Sequence, residues 1–208
     1  MNKTAKLTIL LTVGWLVTVV PGMLLLTDYS NDSGPPGDPL LVWPLESSIE
    51  RARDRHSLLV FVHPRCPCSR ATLRELGRIT ARCGEGLTVH VLIYVPSNEP
   101  DDWSRTDLYA QAHAIPGVEV RMDTVGREAV RFGTVTSGHA LLYDPDGKLV
   151  FSGGITAGRG HEGDNVGHSA IVEAIRSGKT PQSRAPVFGC IIVEPDGALT
   201  PTAGEPLE

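Results

Sequence analysis

The sequence predicts a mixed α/β fold, a central mixed sheet with helices on both faces, preceded by one N-terminal transmembrane helix. Three observations carry this. From residue 57 onward, short apolar β-rich stretches alternate with helical patterns. A hairpin signal, Asp144-Pro145-Asp146-Gly147, then joins two further strand-like stretches before a last helical pattern. Before all of these, residues 7–26 run without a charged side chain.

The N-terminal run is long enough to span. A helix rises about 1.5 Å per residue, so about 20 residues cross a hydrocarbon core of about 30 Å. Pro21 and Gly22 can kink such a helix without preventing insertion. Lys3 and Lys6 precede the run and Asp28, Asp32 and Asp38 follow it, which orients the chain with residues 1–6 cytoplasmic and the rest outside, in a periplasmic or extracellular space. A signal sequence shares this pattern, but no small-x-small cleavage site follows Leu26, which favours a single-pass anchor or an uncleaved signal over residues 7–26. Residues 27–39, rich in Asp, Ser, Gly and Pro, read as a linker. Residues 40–180 form one domain and 181–208 a C-terminal extension. A hydrophobic content of 41 % supplies a core, and a net charge of −5 argues against nucleic acid as a partner.

Within the domain the elements follow in order. Residues 45–55 have weak helical character, and 57–62 form a buried strand. Residues 68–83 place Leu73, Leu76 and Ile79 at helical spacing, with Gly84 as a stop. A second apolar strand covers 87–95. Residues 101–114 open with acids and Trp103 and read as a helix ended by Pro116-Gly117. Then come a strand at 118–122, a helix at 124–132 stopped by Gly133, hairpin strands at 140–143 and 148–152, and a helix at 169–176 closed by Gly178.

This order puts His63-Pro64-Arg65-Cys66-Pro67-Cys68-Ser69 between the first strand and the first domain helix. A thiol at a helix N-terminus meets unpaired backbone N–H groups and the positive end of the dipole, both of which favour thiolate. Redox or metal chemistry is therefore expected at Cys66 and Cys68. Outside the cytoplasm, thiols can oxidise and remain oxidised.

The arrangement resembles the thioredoxin-like fold over residues 45–178. Asp123, Ala129, Phe132-Gly133 and the run from Leu142 to Val150 are similar to membrane-anchored, extracytoplasmic thioredoxin-like proteins. The Cys66-Pro67-Cys68-Ser69 turn, with Phe151-Ser152-Gly153-Gly154-Ile155-Thr156 and Arg159-Gly160-His161-Glu162-Gly163-Asp164-Asn165, resembles the RedB-type branch. The resemblance implies a thiol-disulfide oxidoreductase with a redox-active disulfide, no bound cofactor, and protein or small-molecule thiols and disulfides as partners. It makes Cys66 the nucleophile, and Cys68, the second thiol of the turn, is expected to resolve it. Ser69 stands where the family carries its second cysteine, Arg65 where it carries an aromatic residue, and Gly138, after Ser137, where it carries a cis-proline. Ser137 and Gly138 are then expected to present backbone to the substrate.

The remaining candidates follow from position. Arg65 adds positive charge beside Cys66, as does Arg70 unless it faces solvent. A Cys66–Cys68 disulfide would close a small, strained, easily reduced ring. In the alternative, Ser69 leaves a monothiol site at Cys66, resolved from elsewhere. Cys83, some fifteen helical residues on at about 1.5 Å each, is out of reach. Cys190 follows the last helix by twelve residues, which at about 3.3 Å each can return nearly to the site; it is either a resolving thiol or half of a static bridge to Cys83. The glycine-rich stretch 153–168, with Arg159 and His161, is expected either to line a substrate surface or to be an ordinary loop. A copper-binding or copper-delivery protein is the competing reading, with His63, Cys66 and Cys68 as ligands, where zinc would need a fourth such as His161 or Cys190; a redox-inert binding module is the third.

Overall fold

A computed structural model describes residues 2–97, 99–100, 102–180 and 182–193 and divides into two compact units between Asp32 and Ser33. The first unit is one helix, α1 (Lys3–Asn31), capped by the Asn2 side chain, which accepts from the Thr4 amide. No residue on it is buried, and its length and hydropathy suffice to cross a membrane. The helix extends past the expected 7–26 and takes in residues 27–31, which were expected to begin the linker.

The second unit is built on five strands: β1 (His56–Val62), β2 (Leu87–Val95), β3 (Val118–Thr124), β4 (His139–Tyr143) and β5 (Leu149–Gly154). Their order across the sheet is β3-β2-β1-β4-β5. The first three are parallel, and β4 and β5 run antiparallel to β1 as a hairpin. This is the mixed sheet of a thioredoxin-like fold. β1 is central because both of its faces are apolar. Leu58, Val60 and Val62 pack against Leu73, Leu76 and Ile79 of α2 (Ser69–Cys83) and Ile171 and Ala174 of α5 (Val166–Ser177). Leu59 and Phe61 turn to the other face, toward Trp43, Tyr143 and the end of α4 (Arg127–Arg131) at Ala129 and Phe132. Helices on both faces leave no solvated side to the sheet, so the strands read as unbroken apolar runs rather than as alternation.

Several expectations are corrected. Residues 45–55 are not helical: only Ile49 of this stretch is strongly buried, and Ser47 and Ser48 instead donate to the Glu128 carboxylate of α4. The helix expected over 101–114 shrinks to α3 (Asp107–His113), because Trp103 is drawn into a turn beside His63 and Arg65. Asp101 lies outside the described residues. The helix expected from 124 starts at Arg127, since Val125 and Gly126 both adopt positive φ. Residues 33–39 lie against the globular unit: Gly34 donates to the Val187 carbonyl at 2.8 Å, Asp38 to that of Gly133 at 2.9 Å, and Thr136 Oγ1 to that of Pro35 at 2.7 Å.

The stretch beyond 180 is also part of the sheet's periphery as far as it is described. Ser152 donates to the Ser183 carbonyl and Gly154 to that of Pro186, so this segment runs along the outer edge of β5. It then crosses to pair antiparallel with the chain before β4: Thr136 faces Ile191, Ser137 N donates to the Cys190 carbonyl at 2.8 Å, and Ile192 N to that of Val135 at 2.8 Å. Val187, Phe188, Ile192 and Val193 are buried by this pairing.

Candidate functional site: three thiols at the end of the central strand

The site forms where β1 ends. Pro64 to Cys68 make a tight turn, with Cys66 N donating to the His63 carbonyl and Ser69 N to that of Cys66, and α2 leaves from Ser69. Cys66 is 0 % exposed. The Cys190 amide donates to its Sγ at 3.3 Å. Of the four thiols, Cys66, Cys68 and Cys190 are gathered here, all of them free, while Cys83 sits at the other end of α2. Cys83 and Cys190 therefore lie at different ends of the domain, and the static bridge between them is not formed.

Burial alone would push the Cys66 thiol up. Hydrogen bonds reverse this and hold it down to about 4: from the Cys190 thiol first, then from the Ser69 hydroxyl and the backbone N–H groups of Cys190 and Ser69. Arg65 is engaged elsewhere. Its guanidinium lies over the Trp103 ring at 4.2 Å, in an aromatic row where Trp103 meets the edge of His63 and His63 stacks on Tyr94 at 5.6 Å. Arg70 pairs with Asp107. The hydrogen bonds that favour the thiolate come from Ser69 and Cys190, while Arg65 and Arg70 pair with Trp103 and Asp107.

Ser69 is oriented by its neighbours. The His63 amide donates to Ser137 Oγ at 2.8 Å, and Ser137 Oγ lies 2.6 Å from Ser69 Oγ. Because Ser69 spends its own proton on Cys66, Ser137 must be the donor between the two hydroxyls. A directed chain thus runs from the end of β1 through Ser137 and Ser69 to the sulfur. Ser137 is fully buried and its side chain is used within this chain, while its amide is taken by Cys190. Gly138 has φ +88, and no peptide bond among the described residues is cis. A Cβ at Gly138 would lie against Thr72 Oγ1 on α2. Of the backbone expected to face a substrate, the Ser137 amide is therefore paired with the Cys190 carbonyl and the Gly138 amide with that of Phe61 on β1.

Cys68 has different surroundings. Burial first, and then the Cys66 charge, raise its pKa, and Arg159 pulls in the opposite direction. Arg159 also donates from Nη1 to the Gly189 carbonyl at 3.1 Å, so the 153–168 stretch does reach the site. His161 is exposed, and its Nδ1 meets the Arg159 carbonyl. Glu162 ties the stretch to α2 through Arg74 and Arg78. Among the described residues, no group of three His, Cys, Asp or Glu side chains is gathered so as to hold a metal ion. The His63 ring faces Tyr94 and Trp103 instead, and its Nδ1 accepts from the Arg65 amide.

No family model matches the chain, and no curated protein does. Among solved structures, an uncharacterized conserved protein from Geobacillus kaustophilus matches with a TM-score of 0.57 and 18 % identity, over 83 % of this chain and 94 % of that one. A hypothetical protein from Sinorhizobium meliloti matches at 0.54 and 22 %, over 79 % and 97 %. These two share the fold. The exposed lipoprotein thioredoxin of Streptococcus pneumoniae matches at 0.45 and 15 %, over 67 % and 98 %.

Proposed function

We propose that this protein is a thiol-disulfide oxidoreductase of the thioredoxin-like, RedB-type kind, held at a membrane by α1 with its globular unit outside the cytoplasm. The observation that carries the reading is the buried Cys66 sulfur at the N-terminus of α2, held as thiolate by Ser69 and Cys190 although burial opposes the charge. A group stabilised against its environment in this way marks a reactive site more often than a structural one. Cys66 is the sulfur that exchanges, and the neighbouring thiols Cys68 and Cys190 are the candidates to resolve it. Protein disulfides and small thiols are the substrate class, since the chemistry needs only a second sulfur. The length and hydropathy of α1, with Lys3 and Lys6 before the apolar run, support the anchoring.

The test is disulfide exchange by the full-length chain in detergent, followed with a fluorescent glutathione disulfide. Cys66→Ser abolishes exchange and Cys83→Ser retains it; equal rates from the two variants would sink the reading. Protease treatment of intact cells or spheroplasts removes the globular unit if it lies outside.

A further inference from the structure

We propose that Cys190 is the resolving partner of Cys66, so that the working disulfide joins the β1–α2 turn to the 187–193 segment. This rests on the oxidoreductase reading above and settles which thiol completes it.

Three observations lead there. Cys190 makes direct contact with the Cys66 sulfur, from its amide at 3.3 Å, and its thiol donates to the same atom. The contact is built into the fold. On one side of Cys190, Val187 and Phe188 are buried and the Val187 carbonyl is held by Gly34; on the other, Ile192 and Val193 are buried and paired with Val135. Gly189 lies so close to Ser137 that any Cβ there would collide with the Ser137 carbonyl, and Arg159 holds the Gly189 carbonyl. A chain pinned on both sides of an exposed residue, with a glycine admitting close approach, presents that residue in one place. The third observation concerns the rival. The Cys68 side chain also meets the Cys66 sulfur, but both thiols sit in the one tight turn before α2, where a bond between them would close a small strained ring and distort that turn.

The chemistry balances with a substrate disulfide as oxidant. The Cys66 thiolate attacks one substrate sulfur, forming a Cys66–substrate bond while the other substrate sulfur leaves as a thiolate and takes a proton from water. Cys190 then attacks Cys66 Sγ. The Cys66–Cys190 bond forms, the bond to substrate breaks, and the Cys190 proton passes to the departing sulfur. Two electrons move from the cysteine pair to the substrate; run backward, the same steps oxidise a dithiol.

The test treats the full-length chain in detergent with glutathione disulfide and maps disulfides by mass spectrometry without reduction. The wild type yields a Cys66–Cys190 linkage, and Cys68→Ser yields it too. In Cys190→Ser, glutathione stays on Cys66 for about tenfold longer or more, because no tethered thiol displaces it. Gly189→Val, which keeps the thiol but lifts the segment, behaves like Cys190→Ser. A Cys66–Cys68 linkage in the wild type, or retention of glutathione in Cys68→Ser but not in Cys190→Ser, overturns the assignment and leaves the oxidoreductase reading standing. A wild type whose Cys66 takes neither glutathione nor a protein thiol overturns both.

Discussion

At Cys66 two opposing effects meet, and their balance decides reactivity. A thiol with no exposed surface ordinarily stays protonated, yet four hydrogen bonds from Cys190 and Ser69 outweigh the lost hydration. Alkylation of Cys66 in Cys68→Ser is therefore expected to titrate with a midpoint near 4, measured with iodoacetamide across pH 3 to 9. A midpoint in the ordinary thiol range would refute the hydrogen-bonded thiolate. Ser69→Ala removes one donor and moves the midpoint upward by about one unit. The same shift has a stability consequence. Since the folded value lies below the unfolded one, the stabilisation of the reduced protein is complete above the ordinary thiol pKa and is lost as pH falls through 4. Asp123 works in the opposite sense. It accepts from the amides of Glu128 and Ala129, but burial raises its carboxyl to about 6. The folded state holds this proton more tightly, so stability declines as pH rises from about 4 to 6, and Asp123→Asn flattens that slope in urea titrations.

Among the elements, α2 carries both the site and the link to α5. Glu75, 1 % exposed, binds His168 Nδ1 at 2.8 Å, the Gly163 amide at 2.8 Å and the Arg78 guanidinium. Glu75→Ala leaves two donors unpaired beneath the 153–168 stretch and is expected to cost about 3 kcal/mol in urea unfolding. The strands were legible from the sequence because each is an apolar run between turn residues, and β2 appears at the bounds expected for it. What failed was decided elsewhere in the chain. Trp103 leaves its expected helix because the Arg65 and His63 side chains offer it partners that no local pattern reveals. The run from Val187 to Val193 has the β-branched, apolar character of a strand, but its partner, the Val135–Ser137 stretch, is itself irregular and shows no strand pattern. Cys66 and the turn around it were readable. In the sequence Ser69 reads as the place of a missing cysteine rather than as a donor, and whether Arg159 lines a surface or sits in an ordinary loop is decided only by the course of the chain from β5 to α5.

For the whole molecule, the Cys66–Cys190 pairing would close a loop spanning 124 positions, tying the start of α2 to the last described segment. In the chain-entropy picture a loop of this size adds up to about 4 to 5 kcal/mol to the oxidised state. Urea midpoints of the full-length chain should then be higher oxidised than reduced, and the difference should vanish in Cys190→Ser.

The pinned segment also changes what a stranger sulfur meets on arrival. Cys66 never faces solvent alone: it is always accompanied by a thiol fastened beside it, whose effective concentration is on the order of millimolar or above. Every exchange is then a competition against an incumbent. Dilute small thiols lose that contest, whereas a protein that brings further contacts along with its cysteine can displace the resident. The 187–193 segment thus acts as a doorkeeper whose own sulfur sets the threshold for entry.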